Sequence, residues 1–133
     1  MLVLPSSDSF CFLEGKVNWA MGIIEDLSRT IEMRLKAAPE ESYVASLNAK
    51  GTNKIIEKLS EETTEAILAA KDFDKSPESI KHITHEIADL WFHSMVLLGH
   101  FDIKPDEVLK ELQSRFGQSG LTEKAKRASK ENR

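Results

Sequence analysis

Cysteine is almost missing from this chain, which has one, Cys11, in 133 residues. A lone cysteine excludes an internal disulfide and any zinc site built on cysteines, and it gives no hint of secretion. Long apolar runs are missing too. Leu2 to Leu4 is too short for the core of a signal peptide, and no stretch approaches the roughly 18 consecutive apolar residues of a membrane helix. The chain is therefore expected to be cytoplasmic, with no membrane partner. An excess of positive charge is absent as well: the net charge is -4, which argues against a nucleic-acid binder. No segment alternates apolar and polar residues over strand length, and no repeat or low-complexity tract occurs. His82, His85, His93 and His100 contain no His-Glu-x-x-His pattern, and Gly15-Lys16 lacks the rest of a phosphate-binding loop.

What remains is helical. Apolar residues are 41% and charged residues 30%, enough apolar material for the helical core of one domain. Ile24, Leu27, Ile31 and Leu35 line one face of a helix expected from about Trp19 to Ala37, with Asn18 as its cap and Pro39 beyond its end. A short helix over Ser42 to Ala49 should close on Gly51. Thr52 is then expected to cap a helix reaching about Lys71, with Ile55, Ile56, Leu59, Thr63, Ala66, Ile67 and Ala70 as its core stripe. Ser76-Pro77-Glu78 is a cap, a first-turn proline and a first-turn acid, and the helix it starts should run to about Leu98 with Gly99 at its end. Lys104-Pro105-Asp106-Glu107 opens the last firm helix, carrying Val108, Leu109, Leu112 and Phe116 and stopping at Gly117. The fold class is all-α, a helical bundle with a four-helix-bundle-like core that a homodimer partner completes. Residues 1–18 read as a poorly specified leader, 19–127 as the domain and 128–133 as a frayed basic tail.

Two acidic groups break the helical pattern. Glu61, Glu62 and Glu65 lie on the third helix; Glu86 and Asp89 lie on the fourth. At about 100° per residue, Glu62 falls at the edge of the apolar stripe, Glu65 further round the same flank, and Glu61 away from it. His82, Glu86, Asp89 and His93 draw a polar line along an otherwise apolar helix, as though facing a polar cavity. Carboxylates three residues apart rise only about 4.5 Å along a helix, so each pair can reach one ion. Acidic groups brought close repel and raise one another's pKa unless a cation offsets them. Oxygen ligands suit a hard cation, Mg²⁺ with Mn²⁺ as a substitute, and such an ion suits a polyphosphate substrate. Lys50, Lys54 and Lys58 lie just upstream, where they could meet phosphate oxygens, and Lys124 stands in the basic C-terminal stretch. The plainer alternative is a solvated acidic face, and a histidine-based zinc site is a weaker one.

At these residues the chain resembles a known family. Glu61-Glu62-Thr63-Thr64-Glu65 followed by Glu86-Ile87-Ala88-Asp89 is similar to the metal motif of the MazG-type all-α NTP pyrophosphatases. Ser42-Tyr43-Val44-Ala45, Lys50-Gly51-Thr52-Asn53-Lys54-Ile55, Ala88-Asp89-Leu90-Trp91-Phe92-His93 and Ser119-Gly120-Leu121-Thr122-Glu123-Lys124-Ala125 resemble the phosphoribosyl-ATP pyrophosphohydrolases within that group. The resemblance implies Mg²⁺-dependent hydrolysis of the α–β phosphoanhydride of phosphoribosyl-ATP, giving phosphoribosyl-AMP and pyrophosphate in histidine biosynthesis. It implies a homodimer whose two chains build the site. By position it makes Glu62, Glu65, Glu86 and Asp89 the metal ligands and Glu61, with Glu62, the catalytic carboxylates. From the residues themselves, His93 is expected to hydrogen-bond near these carboxylates and, with Lys50, Lys54, Lys58 and Lys124, to contact the substrate. Two alternatives stand against it: a broader MazG-type nucleoside triphosphate pyrophosphatase, and a non-enzymatic acidic helical dimerisation module.

Overall fold

Where the apolar spacing is helical, the chain is helical, and the computed structural model describes residues 18–116. Five helices and no strand make up these residues: α1 (Asn18–Leu35), α2 (Tyr43–Lys50), α3 (Thr52–Lys71), α4 (Pro77–His100) and α5 (Pro105–Ser114). The all-α expectation holds. Gly117, the stretch around Leu121, Lys124 and the basic tail lie outside the described residues, as does nearly all of the leader.

Local chemistry sets most of the boundaries. The Ser42 side chain accepts from the Ala45 amide at 3.3 Å, and Ser76 accepts from the Ser79 amide at 3.1 Å, so both hydroxyls satisfy a first-turn N–H. Gly51 joins α2 to α3 at φ 86 and ψ −178, a region open essentially to glycine alone. It occupies the capping position of α3 as well, displacing the expected Thr52, which is already helical. The Thr52 hydroxyl instead meets His100 Nε2 at 2.9 Å. Asn18, expected as the cap of α1, is likewise already inside the helix, and α1 ends at Leu35, two residues before Ala37.

Gly99 does not end α4. The helix continues through His100, and the glycine serves packing instead. A Cβ at Gly99 would stand 2.8 Å from Leu35 Cδ1 and 3.3 Å from Ile31 Cγ2, so α1 crosses α4 against bare backbone.

The core gathers one face from each of the first four helices: Ile31, Val44, Leu47, Ile55, Met95 and Val96, with Leu27, Leu35 and Phe92 packed around them. Ile31, Val44, Ile55 and Val96 are the largest fully buried side chains. Burying each contributes about 1.5–3 kcal/mol. Helices α3 and α4 pack together most extensively, joined by a short loop into a helical hairpin, while α1 and α2 cover one side of it. Among the described residues, nothing covers the other side of the hairpin. Ile56, Ile67, Ile80, Ile87 and Trp91 are exposed, Trp91 by 62%. The expected core stripe of α3 is thus divided: Ile55 and Ala66 face inward, joined by Ala69, while Ile67 and Ala70 do not.

Candidate active site

Of the polar line on α4, Glu86 and His93 are buried, Asp89 is half-buried, and His82 is exposed, against the expectation that the whole line faces a cavity. Among the described residues, the only buried polar or charged side chains are Glu62, Glu86 and His93, exposed by 6%, 8% and 5%. All three sit between the two helices. Glu65, more exposed, joins Glu62 and Glu86, and one carboxylate oxygen from each lies within 4.8 Å of the others. Two helices therefore bring together three of the acids that the sequence singles out. Asp89 lies close enough to influence Glu62, and its Oδ2 pairs with His85 Nε2 at 3.2 Å. One turn earlier, Glu86 Oε1 pairs with His82 Nε2 at 3.2 Å.

Glu62 is the pivot. Its Oε1 is 3.5 Å from Lys58 Nζ and 3.6 Å from His93 Nδ1. Burial pushes its carboxyl above the usual glutamate range; His93 and Lys58 pull it back, and Glu65 and Asp89 push it further up. Glu61 differs although it is adjacent. It is exposed, and the hydrogen-bonded Lys58 ammonium holds its carboxyl below the usual range. Lys58 thus straddles two acids and stands as an internal counter-cation. Lys54 donates to Glu57 at 2.7 Å on the exposed side of α3, and Lys50 is exposed at the end of α2.

His93 is held on both ring nitrogens. Nδ1 lies 2.9 Å from the Asp89 carbonyl one turn back, and Nε2 lies 3.1 Å from the Tyr43 hydroxyl. Tyr43 is the chain's single tyrosine, and it is a site residue that the spacing arguments pass over. It lies 50 positions from His93. No helical periodicity connects residues on separate helices, so only the fold could reveal the contact.

The donor set fits a divalent cation: clustered carboxylate oxygens, no cysteine, and two of the three acids withdrawn from water where a net negative charge is costly. This defines the class, an all-α protein with a carboxylate cluster between paired helices that could hold a metal ion. The family model for phosphoribosyl-ATP pyrophosphohydrolase matches residues 24–116. A phosphoribosyl-ATP pyrophosphatase of Neisseria gonorrhoeae is 49% identical over 79% of this chain and 94% of its own length. Those of Methylococcus capsulatus, 48% identical over 80% of this chain and 97% of theirs, and Chromobacterium violaceum, 47% over 79% and 93%, are similar to the same degree. The chain belongs to the phosphoribosyl-ATP pyrophosphohydrolase family.

Proposed function

We propose that this chain hydrolyses the α–β phosphoanhydride of phosphoribosyl-ATP, releasing phosphoribosyl-AMP and pyrophosphate, as a cytoplasmic enzyme of histidine biosynthesis. The observation that carries the proposal is the meeting of Glu62, Glu65 and Glu86 in a member of this family. These three, with Asp89, would hold Mg²⁺, and Mn²⁺ in its place. Bound there, the ion would neutralise phosphate charge and lower the pKa of a water molecule.

The chain's own side chains divide the remaining work. Glu62 and Glu61 carry opposite pKa displacements on adjacent residues of the metal-free chain. Glu62 would keep its carboxylate on the cation beside the attacking water. Glu61, held ionised by Lys58, would orient that water and accept its proton. The water's oxygen ends on one phosphoryl group, and the bridging oxygen leaves with the other. Lys58, with Lys50 and Lys54, supplies positive charge to the phosphate chain, and Lys124 is assigned the same role from the sequence alone. His93, nine-tenths buried and engaged on both nitrogens, supports the carboxylates rather than reaching for a distant phosphate.

A second copy of this chain covers the bare side of the α3–α4 hairpin. Ile56, Ile67, Ile80, Ile87 and Trp91 form an apolar face too large for one protomer to leave in water, and a homodimer makes a four-helix core of two hairpins. A substrate panel tests the activity. Pyrophosphate release from phosphoribosyl-ATP is expected, with dATP and dUTP hydrolysed poorly. Rapid release from dATP or dUTP with none from phosphoribosyl-ATP would assign the broader nucleotide pyrophosphatase activity instead.

A further inference from the structure

The contact between Tyr43 and His93 joins the first residue of α2 to the buried flank of α4, and nothing in the reaction outlined above uses it. Its geometry decides the protonation pattern of the imidazole. Nδ1 faces two acceptors, the Asp89 carbonyl at 2.9 Å and Glu62 Oε1 at 3.6 Å. A bare Nδ1 lone pair there would repel both, so Nδ1 carries the hydrogen. In the neutral ring Nε2 is then an acceptor, and the Tyr43 hydroxyl donates to it across 3.1 Å. The tyrosine hydroxyl thus favours the one neutral tautomer whose Nδ1–H donates to the Asp89 carbonyl, with Glu62 Oε1 3.6 Å from the same nitrogen.

Packing reinforces this selection. The Tyr43 and Phe92 rings meet the His93 ring edge to face, with centroids 6.0 and 5.2 Å away, and so restrict its rotation. The hydroxyl of Tyr43 also lies within electrostatic reach of Lys58, Glu61 and Glu62, although half of its side chain is exposed. Its phenol is therefore part of the site's edge, not of the core.

We infer that Tyr43 is a positioning residue of the metal centre: through His93 it holds the Glu62 carboxylate in the orientation that receives the cation. The inference rests on the metal site proposed above. Partners of metal-ligating groups that act at one remove typically change metal affinity by about 10–100-fold when lost. Tyr43 acts through a further residue, so the low end applies.

The test uses the full chain and the Tyr43→Phe variant, which keeps the ring and removes only the hydroxyl. Two readouts are taken beside activity: imidazole ¹⁵N shifts of the metal-free protein, and Mn²⁺ affinity by electron paramagnetic resonance. The expected result is a single Nδ1–H tautomer of His93 in the parent chain and a mixture in Tyr43→Phe. Mn²⁺ should bind about tenfold more weakly to the variant. Saturating Mg²⁺ should restore kcat, with KM for the nucleotide unchanged. An unchanged tautomer and unchanged Mn²⁺ affinity would overturn the role of Tyr43. A Glu62→Gln control separates the two readings. If Glu62→Gln abolishes Mn²⁺ binding while Tyr43→Phe does nothing, the metal centre stands and the positioning role falls. If neither affects Mn²⁺ binding, the metal centre itself falls and the positioning role with it.

Discussion

Glu62 is the one acid of α3 whose carboxylate the surrounding residues withdraw from water. Burial raises its folded-state pKa above the ordinary 4.5, so folding favours its protonated form. The sign of the pH effect follows. The stabilisation is fully present below the unfolded pKa and is lost as pH rises through the elevated folded one. Metal-free protein should therefore lose stability on going from about pH 4 toward neutrality, and Glu62→Gln should flatten that slope and unfold at higher urea near pH 7. Urea denaturation followed by circular dichroism across this range checks it; a variant less stable than the parent at neutral pH would contradict the account. Lys58 makes the opposite kind of test. Removing its charge with Lys58→Met relieves competition at Glu61 and Glu62, so Mn²⁺ should bind several-fold more tightly while KM for the nucleotide rises, through the lost phosphate contact. Calorimetric titration and steady-state kinetics read the two effects separately. Of the site residues, the acids were legible because their helical spacing collides with the apolar pattern around them. Tyr43 was not, since its partner is 50 residues away and its own position looks like an ordinary first-turn residue.

At the scale of elements, helix starts with side-chain caps were readable to within a residue. Ser42 and Ser76 both cap as their local sequence demands. Glycines misled, because a glycine signals either a chain reversal or a close approach, and only the fold distinguishes them. Gly51 is the first kind, with φ 86; Gly99 is the second, inside α4 and beneath Leu35 and Ile31. Gly99→Ala should change stability by less than about 1 kcal/mol, since the helix-propensity gain of about 1 kcal/mol offsets a shift of the Leu35 side-chain tip. Gly99→Val cannot be absorbed by that movement and should destabilise by about 1–3 kcal/mol. Thermal unfolding of the two variants side by side distinguishes a packing glycine from a helix-ending one. If both substitutions destabilise equally, the close approach is not what the glycine serves.

For the whole molecule, apolar patterning located the buried faces but did not say which chain buries them. Helix α4 carries two apolar strips. Ile80, Ile87 and Trp91 on the first are exposed, whereas Val96 and Phe92 on the second face the protomer's own core. One chain's sequence cannot distinguish an intramolecular core from an intermolecular one, because the physics of burial is the same. The dimer proposed on this face predicts that Trp91→Glu, at a residue 62% exposed in the protomer, produces a monomer in sedimentation experiments. Since each hairpin would lose the support of its partner, hydrolysis should fall by at least about tenfold. A dimer unaffected by this charge would place the interface elsewhere.

The carboxylates of α3 and α4 are proposed to hold a divalent cation for cleavage of phosphoribosyl-ATP. Pyrophosphate release from that substrate, followed as Mg²⁺ is titrated into the parent chain, Glu62→Gln and Asp89→Asn, tests it most directly. Release by the parent should vanish on chelation and return with Mg²⁺. Both variants should lose about 10²-fold or more, with their helical circular dichroism intact. Undiminished hydrolysis by either variant, or release that survives chelation, would contradict it.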